Sequence, residues 1–229
     1  EIENKPMIWH VINRVKKIKS VQQIALITTK EKSDKVLLDI AENEGIIGFT
    51  GDTKDVLNRY YQCAQKISAD PIIRITSDCP VIDPYLIEEM LQFFLKNDFD
   101  YVSNIHPATY PDGLDAEIFS FQTLEKTALS AKLNSEREHV TPYIEKHPEL
   151  FKIYNFENNT DLSQIRLTVD QKEDLKLIQK IYSLMSPKND FRLNEILDLI
   201  SKNPKLLKIN SKYKRNEGYL KSLKEDIFL

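Results

Sequence analysis

An α/β fold is predicted for this chain, and three observations carry the prediction. Short apolar, β-branched runs alternate with stretches of helical period along the sequence. Two of those runs, Arg74-Ile75-Thr76-Ser77-Asp78-Cys79-Pro80 and Arg166-Leu167-Thr168-Val169-Asp170, stop at an aspartate, and in open α/β sheets such strand ends border the ligand crevice. The composition, 41% hydrophobic and 29% charged in 229 residues, is that of a globular protein.

The elements follow in order. Lys5 to Lys19 places Ile8, Val11, Ile12, Val15 and Ile18 on one helical face, with Pro6 suited to the first turn. Ile24 to Thr29 is predicted as a strand, Ser33 to Glu44 as a helix capped by Ser33, and Ile46 to Phe49 as a short strand, a βαβ rhythm. A helix from Asp55 to Ile67 precedes a strand from Ile72 to Thr76. Asp83 is a good cap and Pro84 a good first residue for a helix reaching Lys96. Tyr101 to Asn104 reads as a strand, Tyr110-Pro111-Asp112-Gly113 as a turn, Ala116 to Phe121 as an alternating strand and Gln122 to Ala131 as a helix. Ser135-Glu136-Arg137-Glu138 has capping-box spacing for a helix reaching His147. Lys152 to Phe156 and Ile165 to Val169 complete the strands, and Lys172 to Leu184 is an amphipathic helix. After Ser186-Pro187-Lys188-Asn189-Asp190 the character changes to one helix, Leu193 to Ser201, and a basic stretch, Lys205 to Lys224. The chain is therefore divided into a domain over 1–187 and an appendage over 188–229, packed on the domain or on a partner subunit, or else a solvated basic tail.

Bulk properties exclude several function classes. The net charge is −3 with a pI near 5.9, and the scattered Lys and Arg argue against nucleic acid as a partner. No apolar run approaches the ~18 residues of a membrane span, and the first ten residues lack a signal pattern. Cys63 and Cys79 show no CxxC spacing, so a reducing cytoplasm fits them best. Histidines at positions 10, 106, 139 and 147 lack zinc-ligand spacing. Glycines at 45, 48, 51, 113 and 218 form no GxGxxG, which sets aside a dinucleotide-binding dehydrogenase.

Asp78 and Asp170, each ending a predicted strand, suit a hard divalent cation such as Mg²⁺, which commonly sits on one or two carboxylates plus nucleotide phosphates. Each also has a plainer reading: Asp170 with Glu173 makes a helix cap, and Asp78 before Cys79-Pro80 starts a turn. Arg59 can pair with Asp55 at i,i+4 on an exposed helix face. Arg74, inside an apolar strand, must find a carboxylate or a phosphate. Glu138 is a member of the capping box, and His139 is an isolated histidine facing another direction.

The segments KPMIWHVINRVKK (Lys5 to Lys17), GDTKDVLNRYYQCA (Gly51 to Ala64), RITSDCPVIDP (Arg74 to Pro84), YPDGLDAEIFSF (Tyr110 to Phe121), SEREHVTPYI (Ser135 to Ile144), RLTVDQKEDL (Arg166 to Leu175) and KRNEGYLKSL (Lys214 to Leu223) together resemble the SpsF-type cytidylyltransferases. That family is named for a spore coat polysaccharide biosynthesis protein and is similar to the sialic acid and KDO cytidylyltransferases. The resemblance implies a nucleotide-diphospho-sugar transferase fold: a mostly parallel, Rossmann-like sheet flanked by helices, with a small antiparallel excursion that often builds a dimer interface. The implied reaction is Mg²⁺-dependent. The anomeric hydroxyl of an acidic sugar of the nonulosonic type attacks the α-phosphorus of CTP, pyrophosphate leaves, and a CMP-sugar forms for surface polysaccharide synthesis. Positioning and cations would supply most of the catalysis.

By the same resemblance Asp78 and Asp170 are the catalytic metal ligands. Arg59, Arg74 and Asp78 lie on the nucleotide, while Asp112, Gly113, Asp115, Glu138 and His139 form the sugar-acid end. A homodimer is expected. Members of the family open with a strand and a loop of the type ARxGSxRLPxK that grips the triphosphate, and the sequence in hand begins just after it. A longer natural protein is therefore expected, since an empty central slot in a parallel sheet strands backbone donors and acceptors. The alternative is a non-catalytic member of the same fold that binds a nucleotide or a partner protein.

Overall fold

The structure is a computed structural model and describes residues 1–227. Pro6, with φ near −56°, leads into α1 (Met7–Val15), whose Arg14 is buried and donates from Nε to the Ile82 carbonyl and from Nη2 to the Phe191 carbonyl, both at 2.6 Å. β1 (Ala25–Thr29) and β2 (Ile47–Gly51) pair in parallel around α2 (Lys35–Asn43). Ser33 does not cap that helix. It lies in a 3₁₀ turn over Lys32–Asp34, and the Asp34 carboxylate instead takes the Thr28 and Thr29 hydroxyls at 2.9 and 2.6 Å.

A second ladder is built from β3 (Ile72–Arg74), β4 (Tyr101–Ser103), β5 (Glu117–Phe119) and β6 (Ile153–Asn155), in the order β3-β5-β4-β6. β5 runs antiparallel to both neighbours and β6 runs parallel to β4, so β3, β4 and β6 point one way and β5 is the antiparallel excursion. The predicted alternating strand around Ala116 is thus a central strand buried on both faces. Ile118 packs into one apolar layer with α4 (Pro84–Lys96) and α8 (Lys172–Met185), through Ile87, Met90, Leu177 and Ile181. Phe119 faces the other layer, with Leu57 of α3 (Val56–Ile67), Leu124 of α5 (Phe121–Ser130) and Ile144 of α7 (Pro142–Lys146). Alternation along a pleated strand sends neighbouring side chains to opposite layers, and the result is a three-layer α/β/α arrangement.

Two predicted elements differ. Ile165 to Val169 is extended but, among the described residues, forms no ladder and makes a single bridge, Arg166 to Asp112. The predicted helix from Ser135 to His147 is two short ones, α6 (Asn134–His139) and α7, separated by Val140 at φ 77° and by Pro142, which cannot continue a helix but suits its first turn. After α8, Phe191, together with Ile196 and Ile200 of α9 (Leu193–Lys202) and Leu206, joins the first apolar layer, and α10 (Glu217–Lys224) follows.

Candidate active site

Asp78 and Asp170 meet through the backbone. The Val169 amide donates to the Asp78 carbonyl at 2.9 Å, and the Thr168 hydroxyl reaches the same oxygen at 3.3 Å. Residues distant in sequence are thereby stitched together one position before Asp170, at the point where each extended run gives way to a turn and then a helix. Asp78 is half-buried and Asp170 exposed. Cys79 sits beneath them; burial, then the charges of Asp78 and Asp115, push its thiol well above the ordinary range.

Arg166 organises the acidic residues around that seam. Its Nε and Nη2 donate to the two oxygens of Asp174 at 3.0 and 2.9 Å, Nη2 also reaches Asp170 at 2.7 Å, and Nη1 reaches Asp112 at 2.9 Å. Burial alone would raise the Asp174 carboxyl, but hydrogen bonds from Arg166 and Asn210 hold it below its usual value. The Asp174 carboxylate also accepts the backbone amides of Asp170 and Gln171, so the cap at the start of α8 belongs to Asp174 and not to an Asp170–Glu173 pair. Glu173 turns outward to Lys212 and Tyr213. Arg166 carried no predicted role, although the signal was present: a guanidinium inside an apolar run, the same argument that singled out Arg74.

The loop carrying Asp112, Gly113 and Asp115 is pressed onto this seam. Asp112 exchanges backbone hydrogen bonds with Ile165 and Leu167 at 2.9 and 2.7 Å. Gly113 adopts φ +98°, and a Cβ there would lie 2.5 Å from the Thr168 nitrogen, so both its conformation and its closeness exclude a side chain. Burial raises the Asp112 carboxyl, against Arg215 and Arg166, with Asp170 and Asp78 adding to the rise. Asp115 pairs with Arg215 at 2.5 Å, yet burial pushes its carboxyl up to about 7.

The remaining predicted residues lie further round. Arg74 faces Glu117 across the β3–β5 pair and lies over the Tyr60 ring, so its partner is a carboxylate; Glu117 also accepts the Tyr101 hydroxyl at 2.7 Å. Arg59 is buried and not paired with Asp55, which caps α3 and is held bidentately by Arg137 at 3.0 and 2.6 Å. Glu138 is exposed, and the helix-opening carboxylate is Glu136, which accepts the Lys132 and Leu133 amides at 3.2 Å. Ser135 instead binds Asp226. His139 lies 3.0 Å from the Ser222 hydroxyl, and burial lowers its basicity.

The site therefore joins Asp78, Asp112, Asp115 and Asp170 around Arg166 and Arg215, with Arg59, Arg74, Glu138 and His139 outside that contact set. Among the described residues no three Asp, Glu, His or Cys side chains form a metal cage. Two oxygen-donor carboxylates completed by ligand phosphates is the arrangement that suits Mg²⁺, so the residues present fit that ion. Arg59, Arg74 and Arg215 each bury an Nε that has no hydrogen-bond partner among the described residues. Also among the described residues, no helix is long and apolar enough to cross a membrane.

The Cytidylyltransferase family model matches residues 1–211. An uncharacterised protein of Methanocaldococcus jannaschii is 38% identical over 206 residues, covering 88% of this chain and 82% of the relative. The spore coat polysaccharide biosynthesis protein SpsF of Bacillus subtilis is 29% identical over 191 residues, covering 81% and 78%. A solved structure of a cytidylyltransferase from Leptospira borgpetersenii superposes with a TM-score of 0.87 at 31% identity, covering 90% of this chain and 87% of that one.

Proposed function

The chain belongs to the cytidylyltransferase family, a family of CTP-using nucleotidyltransferases, and from that premise we propose that it transfers CMP from CTP to the anomeric hydroxyl of an acidic sugar. In this reaction the hydroxyl oxygen forms a bond to the α-phosphorus of CTP, the bond from that phosphorus to the bridging oxygen breaks, pyrophosphate departs and the hydroxyl proton passes to solvent. The observation that carries the reading is the backbone seam that brings Asp78 and Asp170 together beside a fixed guanidinium. Asp78 and Asp170 would hold Mg²⁺, which when bound offsets the charge of the phosphates. Asp112 and Asp115 border the acceptor end, where the seam and Gly113 fix the loop and so the angle at which a hydroxyl approaches. Arg166 keeps Asp170 oriented while neutralising part of the local negative charge. We further propose a homodimer, and a role in surface polysaccharide synthesis that the likeness to the spore coat polysaccharide biosynthesis protein supports.

The test is pyrophosphate release from CTP by the full chain, with Mg²⁺ and a panel of nonulosonic acids. Release that needs both the sugar acid and Mg²⁺, is lost with a chelator and is restored by added Mg²⁺ is expected. Tight CTP binding with no pyrophosphate from any acceptor would favour the non-catalytic reading instead.

A further inference from the structure

The C-terminal end of the chain closes over the acceptor side of the acidic cluster. The Lys214 carbonyl accepts from Arg166 Nη1 at 3.3 Å, and Arg215 donates to the Tyr110 carbonyl at 3.2 Å and to Asp115 at 2.5 Å. The Ser222 hydroxyl lies 3.0 Å from both Glu138 and His139, and Asp226 accepts the Ser135 amide and hydroxyl at 2.9 and 2.6 Å. One strap, residues 214–226, thus touches both the 110–115 loop and the head of α6. Of its apolar side chains, Tyr219 packs edge-on against the His139 ring, while Leu220 and Leu223 are exposed. A segment attached by a few polar contacts and little apolar burial opens at low cost.

Arg215 stands apart from the rest of the strap. Its guanidinium is mostly enclosed, and while Asp115 and the Tyr110 carbonyl occupy its terminal nitrogens, its buried Nε has no partner among the described residues. A buried donor without an acceptor is costly, and an incoming carboxylate can satisfy Nε on the edge it shares with Nη2, beside Asp115. The charges around it agree. Even with Mg²⁺ on Asp78 and Asp170, the acidic loop at Asp112 opposes an anionic acceptor unless a further cation receives it. Arg166 is already engaged by Asp112, Asp170 and Asp174, which leaves Arg215 as the guanidinium of this cluster with a donor to offer.

We propose that Arg215, carried on a C-terminal strap that opens to admit the acceptor and closes over it, binds the acceptor's carboxylate and sets the preference for acidic sugars. This rests on the nucleotidyl transfer proposed above for the same site. It is tested with the full chain and its R215A and R215K variants. Pyrophosphate release is measured with Mg-CTP and N-acetylneuraminate or 3-deoxy-manno-octulosonate, and amide hydrogen exchange is followed over residues 216–226 with each acid and with its methyl ester. R215A is expected to raise the acceptor KM about tenfold or more while the CTP KM stays within about twofold, with partial recovery in R215K. The acid, and not its ester, is expected to slow exchange over the strap in the wild type and not in R215A. An unchanged acceptor KM, or a CTP KM that rises in step with it, overturns the role of Arg215. No pyrophosphate from the wild type, with Arg215-dependent protection of the strap retained, removes the reaction and leaves the carboxylate site standing. Turnover with neither a KM change nor protection does the reverse, and the absence of both turnover and protection ends both.

Discussion

Arg166 and Asp174 are joined by two parallel hydrogen bonds, Nε to Oδ1 at 3.0 Å and Nη2 to Oδ2 at 2.9 Å, in a position where Asp174 has no solvent exposure at all. The same guanidinium reaches Asp112 and Asp170, so the fold and the candidate site share one cation. Removing one partner of a buried pair leaves the other charge uncompensated. Arg166→Met is therefore expected to destabilise the protein by about 3–5 kcal/mol, and Asp174→Asn by a comparable amount. Urea unfolding of the two variants checks this, and a loss below about 1 kcal/mol would show that the pair is not what secures the seam.

Gly113 makes a second, separable demand. Its φ of +98° and the Thr168 nitrogen 2.5 Å from any added Cβ mean that Gly113→Ala must move the loop, the 165–169 segment, or both. The expected cost is about 1–3 kcal/mol, with a fall in turnover because Asp112 and Asp115 ride on the same loop. A variant that keeps wild-type melting temperature and turnover would show that the loop is free to shift without consequence.

What the sequence made legible, and what it did not, divides by the range of the interactions. Asp83 and Pro84 announced α4 because a cap is local, and the Asp83 carboxylate does accept the Tyr85 amide at 2.9 Å. Asp78 and Asp170 were legible as the ends of apolar runs. Ile165 to Val169 was read as a ladder strand because its composition is that of one, but its backbone partners are a loop residue, Asp112, and a strand-end residue, Asp78, which no local pattern reveals. The two capping boxes were misplaced for a related reason. The spacings Ser135–Glu138 and Asp170–Glu173 are present, yet Glu136 and Asp174 reach the free amides, since tertiary contacts with Asp226 and Arg166 decide where each helix starts. For the C-terminal stretch the sequence leaves a packed appendage and a solvated basic tail both open, because nothing near it predicts that Arg215 pairs with Asp115, one hundred residues away.

Asp115 and Asp174 respond to pH in opposite directions. The Asp115 carboxyl is pushed up to about 7 by burial, above its unfolded value near 3.9. The folded state then holds that proton more tightly than the unfolded state, so its contribution is fully present below about pH 4 and is lost as pH rises through about 7. Asp174 is held below its ordinary value, so its contribution is present above about pH 4 and is lost as pH falls further. Urea unfolding between about pH 4 and 8 is expected to show a stability loss on the alkaline side that Asp115→Asn flattens. An identical slope in that variant would mean Asp115 is ionised in the folded protein throughout the range.

The carboxylates at the seam can be tested without disturbing the fold. Among the described residues the Asp78 side chain has only a weak 3.5 Å contact from the Cys79 thiol, and the Asp170 side chain is half-exposed where it meets Arg166. Asp78→Asn and Asp170→Asn should therefore keep stability within about 1 kcal/mol, since exposed ion pairs contribute little. Turnover is a different matter. If both hold Mg²⁺ against the triphosphate, each amide removes a charged oxygen ligand where negative charge must be offset, and kcat is expected to fall about a hundredfold to a thousandfold. The Mg²⁺ concentration for half-maximal activity should rise in the same variants, an effect that a positional defect alone does not produce. Measuring kcat against Mg²⁺ at saturating CTP separates the two: wild-type turnover with an unshifted Mg²⁺ dependence in either variant removes that carboxylate from the metal site, while a fall in kcat with no Mg²⁺ shift assigns it to positioning.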